Sequence, residues 1–371
     1  MQIRDDLEIF LVVPPGLESE LADEVRARGF GAADIATGGV TIRGGWPEVW
    51  RANLELRGAS RVLVRFAQFP AVHLSQLDKK ARKLAWGDVL RADVPVTVEA
   101  SCRKSKLYHA GAVAERVGNA ITATLGAPSG EGGVRLMARV DNNLCTISLD
   151  TSGDLLHRRG FKAAVAKAPM RETLAALFLQ ASGFRGTEPV FDPMCGSGTF
   201  VIEAAEMAAG LMPGRARRFA FEQLKPFDAN AWDAMRSAGP ATPPAFGFAG
   251  SDRDAGAITA AQANADRAGV AGWTTFTQGA AANAVPPDGP AGLVMVNPPY
   301  GARIGNRKAL LGVYHGLGQA LRGNFAGWRV GLVTSDDALA RATRLPFGAP
   351  SRAIDHGGIR IRLYQTRPLV G

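Results

Sequence analysis

EIFLVV, from residue 8, carries an apolar run of five after Glu8, and the following PPGLESELADEVRARGF spaces Leu17, Leu21 and Val25 four apart. That pattern predicts a strand leading into an amphipathic helix. GGVTIRGG and RVLVRFAQF read as strands around the helical stretch WPEVWRANLELR, which makes residues 1–65 a small α+β region. A second unit begins near Phe66. HLSQLDKKARKLAW is helical, VPVTVEASC is a strand, and GAVAERVGNAITATLG is a helix with Val113, Val117, Ile121 and Leu125 on one face. The strands VRLMARV and LCTISLD complete it. Helices and strands alternate irregularly here, which suits an α+β unit over residues 66–155.

From about Pro169 the alternation becomes regular. RETLAALFLQAS, SGTFVIEAAEMAAG, DAGAITAAQANADRAG and KALLGVYHGLGQALRG carry helical periodicity, while EPVFD, FGFAGSD, GLVMV, WRVGLVTS and IRIRLYQT read as strands. The expectation for 169–371 is a doubly wound, Rossmann-like α/β domain, with residues 156–168 as linker. Residues 210–245 are rich in Pro, Gly and Arg and read as an inserted loop segment.

Composition narrows the function. The chain has 371 residues and a formal charge of +9, which suggests a polyanionic partner. Its three cysteines, Cys102, Cys145 and Cys195, form no CxxC pair, and no histidine cluster joins them, so no metal is expected. The N-terminal apolar run is too short for a secretory signal, and no run is long enough to cross a membrane. A cytoplasmic location with reduced thiols is the expectation.

In an open α/β sheet, ligands gather at the carboxyl ends of the strands. The first strand of the last region ends FDPMCGSGTF, where Gly196 and Gly198 would let backbone approach a ligand and Asp192 could hold a cationic amine. The third glycine of the dinucleotide fingerprint is missing, which counts against NAD. The second strand ends AGSDRD, placing Asp252 where an acid would bind ribose hydroxyls. The fourth strand ends Asn297-Pro298-Pro299-Tyr300. Two prolines fix the backbone there, so the Asn297 side chain and the Pro298 carbonyl can project as rigid acceptors, and Tyr300 offers a ring on which a base can stack. Cys195 reads as a small packing residue.

DPMCGSGT, GSDRD and NPPYG, in this order, resemble class I S-adenosylmethionine-dependent methyltransferases that modify exocyclic amino groups. SCRKSKLYHAGAVAERV, residues 101–117, resembles the signature of the THUMP domain, an RNA-binding module. LHRRGFKAAVAKAPMRETLAA, residues 156–176, resembles the junction that follows it in one family, the bacterial large-subunit rRNA guanine-N2 methyltransferases of the L type. The resemblance covers nearly the whole chain. It implies a ferredoxin-like region over 1–65, a THUMP domain over 66–155 and one methyltransferase half, whereas some bacteria fuse the family to a second methyltransferase. It assigns Asp192, Cys195, Gly196, Ser197, Gly198, Thr199 and Asp252 to the cofactor S-adenosylmethionine, and Asn297, Pro298, Pro299 and Tyr300 to the target amine. Two positions depart from the family's pattern: Ala280, Ala281 and Ala282 replace an acid expected to bind the adenine amine, and Ala302 stands where Glu commonly follows NPPYG.

Residues 79–116 contain nine Lys or Arg against four acids. Within that stripe Arg103, Lys104 and Lys106, with Tyr108 beside them, are the candidates to follow a phosphate backbone. The expected partner is RNA, 23S rRNA or a ribosome assembly precursor. Three readings remain open: an RNA guanine-N2 methyltransferase, acting on rRNA or tRNA; a DNA or protein amino-methyltransferase; and a non-catalytic RNA-binding assembly factor.

Overall fold

A computed structural model describes residues 6–162, 170–237, 241–300 and 307–371, at Arg307 the backbone alone. Residues 163–168 of the expected linker, and Ala302, lie outside them. The chain divides into two compact units. One comprises Met1–Val13, Leu21–Leu156 and Arg217–Ala238, the other Pro14–Glu20, His157–Ala216 and Gly239–Gly371.

The chain opens with β1 (Leu7–Val12), α1 (Glu18–Ala27), β2 (Asp34–Ala36), β3 (Gly39–Gly44), α2 (Trp46–Glu55) and β4 (Arg61–Pro70). It continues through α3 (Leu74–Ala81), β5 (Val96–Arg103), α4 (Ala110–Leu125), β6 (Val134–Asp141) and β7 (Leu144–Asp150). These strands form one seven-stranded sheet in the order β2-β3-β1-β4-β7-β6-β5. All its pairings are antiparallel except β5 with β6. The ten-residue β4 pairs with β1 through its first half and with β7 along most of its length, so the sheet runs unbroken past residue 65.

The periodicities used above mark what is buried. Leu17, Leu21 and Val25 are 2% exposed or less, as are Val113, Val117 and Ile121 on α4. Burying each such side chain contributes about 1.5–3 kcal/mol. Gly126, at φ +81°, ends α4 in the left-handed conformation that glycine adopts without strain.

Further along the chain come α5 (Glu172–Ala181), β8 (Val190–Asp192), α6 (Thr199–Ala208) and α7 (Ala229–Arg236). The stretch expected as a loop at 210–245 therefore contains a helix. Asp228 caps α7 through the amides of Asn230 and Ala231. Phe219, Phe221, Phe227 and Trp232 pack there with Trp50 inside the first unit, ring centroids 4.9–6.2 Å apart. The Pro, Gly and Arg content hid an aromatic core.

The remaining elements are β9 (Phe248–Asp252), α8 (Ala255–Ala268), β10 (Thr274–Gln278), β11 (Leu293–Val296), α9 (Arg307–Asn324), β12 (Arg329–Thr334), α10 (Asp337–Ala342), β13 (Ile354–His356) and β14 (Ile359–Gln365). They join β8 in a second seven-stranded sheet ordered β10-β9-β8-β11-β12-β14-β13. From β10 to β12 all pairs are parallel, and β14 runs antiparallel to β12. The chain leaves β8 toward β9 and β10, then returns to place β11 on the other side of β8. That reversal is a topological switch point, and in open α/β sheets ligands bind beside such a point, which here is at the carboxyl ends of β8 and β11. The doubly wound expectation for this region holds.

Candidate active site

β8 ends in Asp192, and the chain turns directly into α6. The turn is fastened by Cys195 N donating to Ser251 O (2.9 Å) and Gly198 N donating to Cys195 O (2.8 Å). Gly196 and Gly198 take φ of +51° and +85°, which side chains other than glycine rarely adopt. A Cβ on Gly198 would stand 3.1 Å from Ala261, Ile202 and Phe276, so this glycine closes the turn against α8 and β10. Gly250 on β9 serves the same turn from the other side, because its Cβ would meet Cys195 Cβ at 2.8 Å.

The carboxylate of Asp252 is fixed by backbone. Its Oδ2 accepts from Gly196 N and its Oδ1 from Asp254 N, both at 3.0 Å. Each oxygen keeps a second lone pair with which to accept from a hydroxyl. Asp192 is 2% exposed, and its Oδ1 accepts from Met194 N at 2.9 Å. Burial raises its pKa well above the usual carboxylate range, and the nearby charge of Asp252 adds to the rise. A cation placed beside it would reverse that effect. Cys195 is buried, and its thiol pKa is pushed far up by burial and by the two aspartates, so it stays protonated and inert. Ser197 accepts from Asn264 Nδ2 (3.1 Å) through its carbonyl, and the Thr199 hydroxyl accepts from Lys162 Nζ (2.9 Å). Lys162 also pairs with Glu172 at 2.9 Å.

β11 pairs in parallel with β8, Leu293 with Val190 and Val294 with Phe191, so Asn297 emerges at the same end of the sheet as Asp192. β11 is wholly buried, Asn297 and Pro299 are half-buried, and Pro298 is buried. The Asn297 Oδ1 is buried and has no hydrogen-bond partner among the described residues. A buried acceptor without a partner costs about 1–3 kcal/mol, so its presence at the end of this strand calls for an explanation. Tyr300 is 9% exposed, with its phenol pKa pushed up to about 12 by burial.

Two residues absent from the sequence reading support this motif. Tyr314 Oη lies 3.3 Å from Pro299 O and 3.0 Å from Thr334 Oγ1. Tyr314 belongs to the buried stripe Leu310, Tyr314, Leu317 and Leu321 of α9, so by spacing alone it reads as core. Past β10, Gly279 N donates to Asp252 O (2.9 Å), and a short turn of alanines, Ala281–Asn283, brings no carboxylate.

In the first unit, Arg103, Lys104, Lys106 and Tyr108 leave β5 together, all exposed, Tyr108 at 84%. Lys104 takes a φ of +45°. Lys106 N donates to Asn143 Oδ1 (2.8 Å), and Asn143 N donates to Ser105 Oγ (2.9 Å), so the basic turn is tied to the one joining β6 and β7.

The sequence matches the RMKL-like methyltransferase domain over residues 159–355, more than half of the chain. The chain belongs to that family. The chain also matches the RlmL ferredoxin-like domain over residues 8–63. It is 36% identical over 363 residues to the ribosomal RNA large subunit methyltransferase K/L of Syntrophotalea carbinolica, covering 90% of this chain and 50% of that protein. The Pseudomonas aeruginosa protein of the same name is 35% identical over 361 residues, with 91% and 50% covered. The chain thus spans about half the length of these curated relatives. Among solved structures, a possible methylase from Clostridium difficile matches with a TM-score of 0.88 at 27% identity over 99% of both chains. A predicted N6-adenine-specific DNA methylase from Listeria monocytogenes matches with the same TM-score and identity, over 98% of this chain and 96% of that one. Among the described residues, no group of three or more His, Cys, Asp or Glu could hold a metal, and no helix is long and apolar enough to cross a membrane.

Proposed function

We propose that this chain transfers a methyl group from S-adenosylmethionine to the exocyclic N2 amine of a guanine in RNA, in 23S rRNA or a ribosome precursor in the cytoplasm. The cofactor suits the residues at the β8 end. Asp252, its carboxylate fixed by two amides, would accept from ribose hydroxyls, and buried Asp192 would take the cationic amine. When bound, the cofactor supplies an electrophilic methyl group on a sulfonium. The alanines after β10 leave the adenine to backbone groups and apolar contacts.

The buried, unpartnered Oδ1 of Asn297 is the observation that carries the reading. A guanine N2 amine is a weak nucleophile because its lone pair is delocalised into the ring. Asn297 Oδ1 and the Pro298 carbonyl would accept its two hydrogens, draw the nitrogen out of planarity and direct its lone pair at the methyl group. No covalent intermediate on the protein is needed. Tyr300 would hold the base once it has left its stack. The turn carrying Arg103, Lys104 and Lys106, with exposed Tyr108, would bind the RNA backbone, and residues 66–155 would act as a THUMP domain.

The test is transfer of labelled methyl from the cofactor to total RNA, followed by mass spectrometry of nuclease digests. N2-methylguanosine at one position is the expected product. Label on adenine N6 would overturn the guanine assignment in favour of adenine, the base named in the prediction for the Listeria protein. Cofactor binding by calorimetry without transfer to any RNA would overturn RNA as substrate.

A further inference from the structure

Asn-Pro-Pro-Tyr has an anchoring problem that follows from its composition. Pro298 and Pro299 carry no N–H, so at these two positions the backbone can be held only through its carbonyl oxygens, by donors supplied from elsewhere. Tyr314 supplies one from α9. Its side chain is 0% exposed, and its hydroxyl stands 3.3 Å from Pro299 O and 3.0 Å from Thr334 Oγ1 at the end of β12. A phenol has one proton and these are two oxygens. The arrangement is satisfied when Thr334 donates to Tyr314 Oη and Tyr314 donates to Pro299 O, a relay from β12 through α9 to the end of β11. Thr334 Oγ1 in turn receives Asp336 N at 3.4 Å, which fixes the far end of the relay. Burial pushes the phenol pKa up, so the hydroxyl keeps the proton it must donate.

We infer that Tyr314, held by Thr334, is a positioning residue that fixes the Pro299 carbonyl and thereby the attitude of Asn297 and Tyr300 toward the target base. This rests on the function proposed above. Tyr314 touches neither base nor cofactor in this assignment; it acts through the backbone of the motif. A displacement of about 1 Å in a reacting group is worth up to about a hundredfold in rate, which is the scale on which such a tether matters.

Tyr314→Phe removes the hydroxyl and keeps the ring in the stripe. The expected result is a single-turnover methylation rate lower by about tenfold or more, with KM for RNA and affinity for the cofactor unchanged. Thr334→Val should reproduce part of that loss, and Thr334→Ser, which keeps a hydroxyl, should restore the rate. A second readout needs no activity: in hydrogen–deuterium exchange, a peptide spanning 293–300 should exchange faster in Tyr314→Phe while peptides from β12 and α9 keep their protection. Wild-type exchange in that peptide overturns the tether. Faster exchange with a wild-type rate overturns the positioning role. If the wild-type protein methylates no RNA, the proposed function fails, and exchange alone decides whether the tether exists.

Discussion

Replacing Asn297 by alanine should separate stability from activity in a way that a packing residue cannot. The Oδ1 atom is buried with no partner among the described residues, so in the free protein it costs about 1–3 kcal/mol of desolvation. Alanine removes that cost and leaves a small void worth about 1 kcal/mol. The net change runs from about zero to 2 kcal/mol in favour of the variant. With roughly 2–4 °C per kcal/mol for a unit of this size, Tm should stay level or rise by a few degrees. Methyl transfer should move the other way. Losing one preorganised hydrogen-bonding group costs about a hundredfold, or about 2.7 kcal/mol of transition-state stabilisation. Asn264→Ala is the contrast. That residue is wholly buried, and its amide donates to Ser197 O at 3.1 Å, so its loss leaves buried groups without partners and should cost about 1–3 kcal/mol. Calorimetric unfolding and rapid-quench single-turnover transfer, run on both variants, make the comparison. An Asn297→Ala protein that is destabilised like Asn264→Ala, or that methylates RNA at the wild-type rate, would refute the reasoning.

Two further predictions concern Asp192 and the basic turn. Burial raises the Asp192 pKa in the folded state, so the native protein binds that proton more tightly than the unfolded chain, which has the ordinary value of about 3.9. Its stabilising contribution is complete below that value and is lost as pH rises through the raised native pKa. Asp192→Asn keeps the acceptor for Met194 N, so its gain in urea stability over wild type should grow across that rise, and parallel curves would mean that Asp192 titrates normally. Changing Arg103 and Lys106 to Ala and Lys104 to Asn, which tolerates the left-handed φ of +45°, should weaken RNA binding and flatten its salt dependence while cofactor affinity holds. An unmoved salt slope would make this turn a solvated face.

Much of this fold was legible because burial in it follows simple periods. The stripe of α4 and the continuous run of β11 are both written in the spacing of apolar residues. Asp192, Asp252 and Asn297 were legible because strand ends in a doubly wound sheet are where ligands converge, and the structure brings these three to one edge. α7 was hidden because the aromatics that stabilise it find their partner, Trp50, far away in sequence. Gly198 could be read as glycine required at a turn, but its packing against Ala261 and Phe276 depends on α8 and β10. Tyr314 was invisible for a different reason: its role depends on a single hydroxyl, while its spacing is that of the core.

The stretch Arg217–Ala238 lies between α6 and β9 in sequence yet is counted with the first unit, where Phe221 meets Trp50 with ring centroids 6.2 Å apart. This makes the molecule hard to cut. A truncation that kept only residues 157–371 would leave Phe219, Phe221 and Trp232 without Trp50, an apolar patch prone to aggregation. One that kept only 1–156 would strip the same aromatics from the fragment that needs them. Recombination that exchanged either unit for a relative's would have to carry three separate stretches of sequence together, so the stretches of each unit are constrained to change as one.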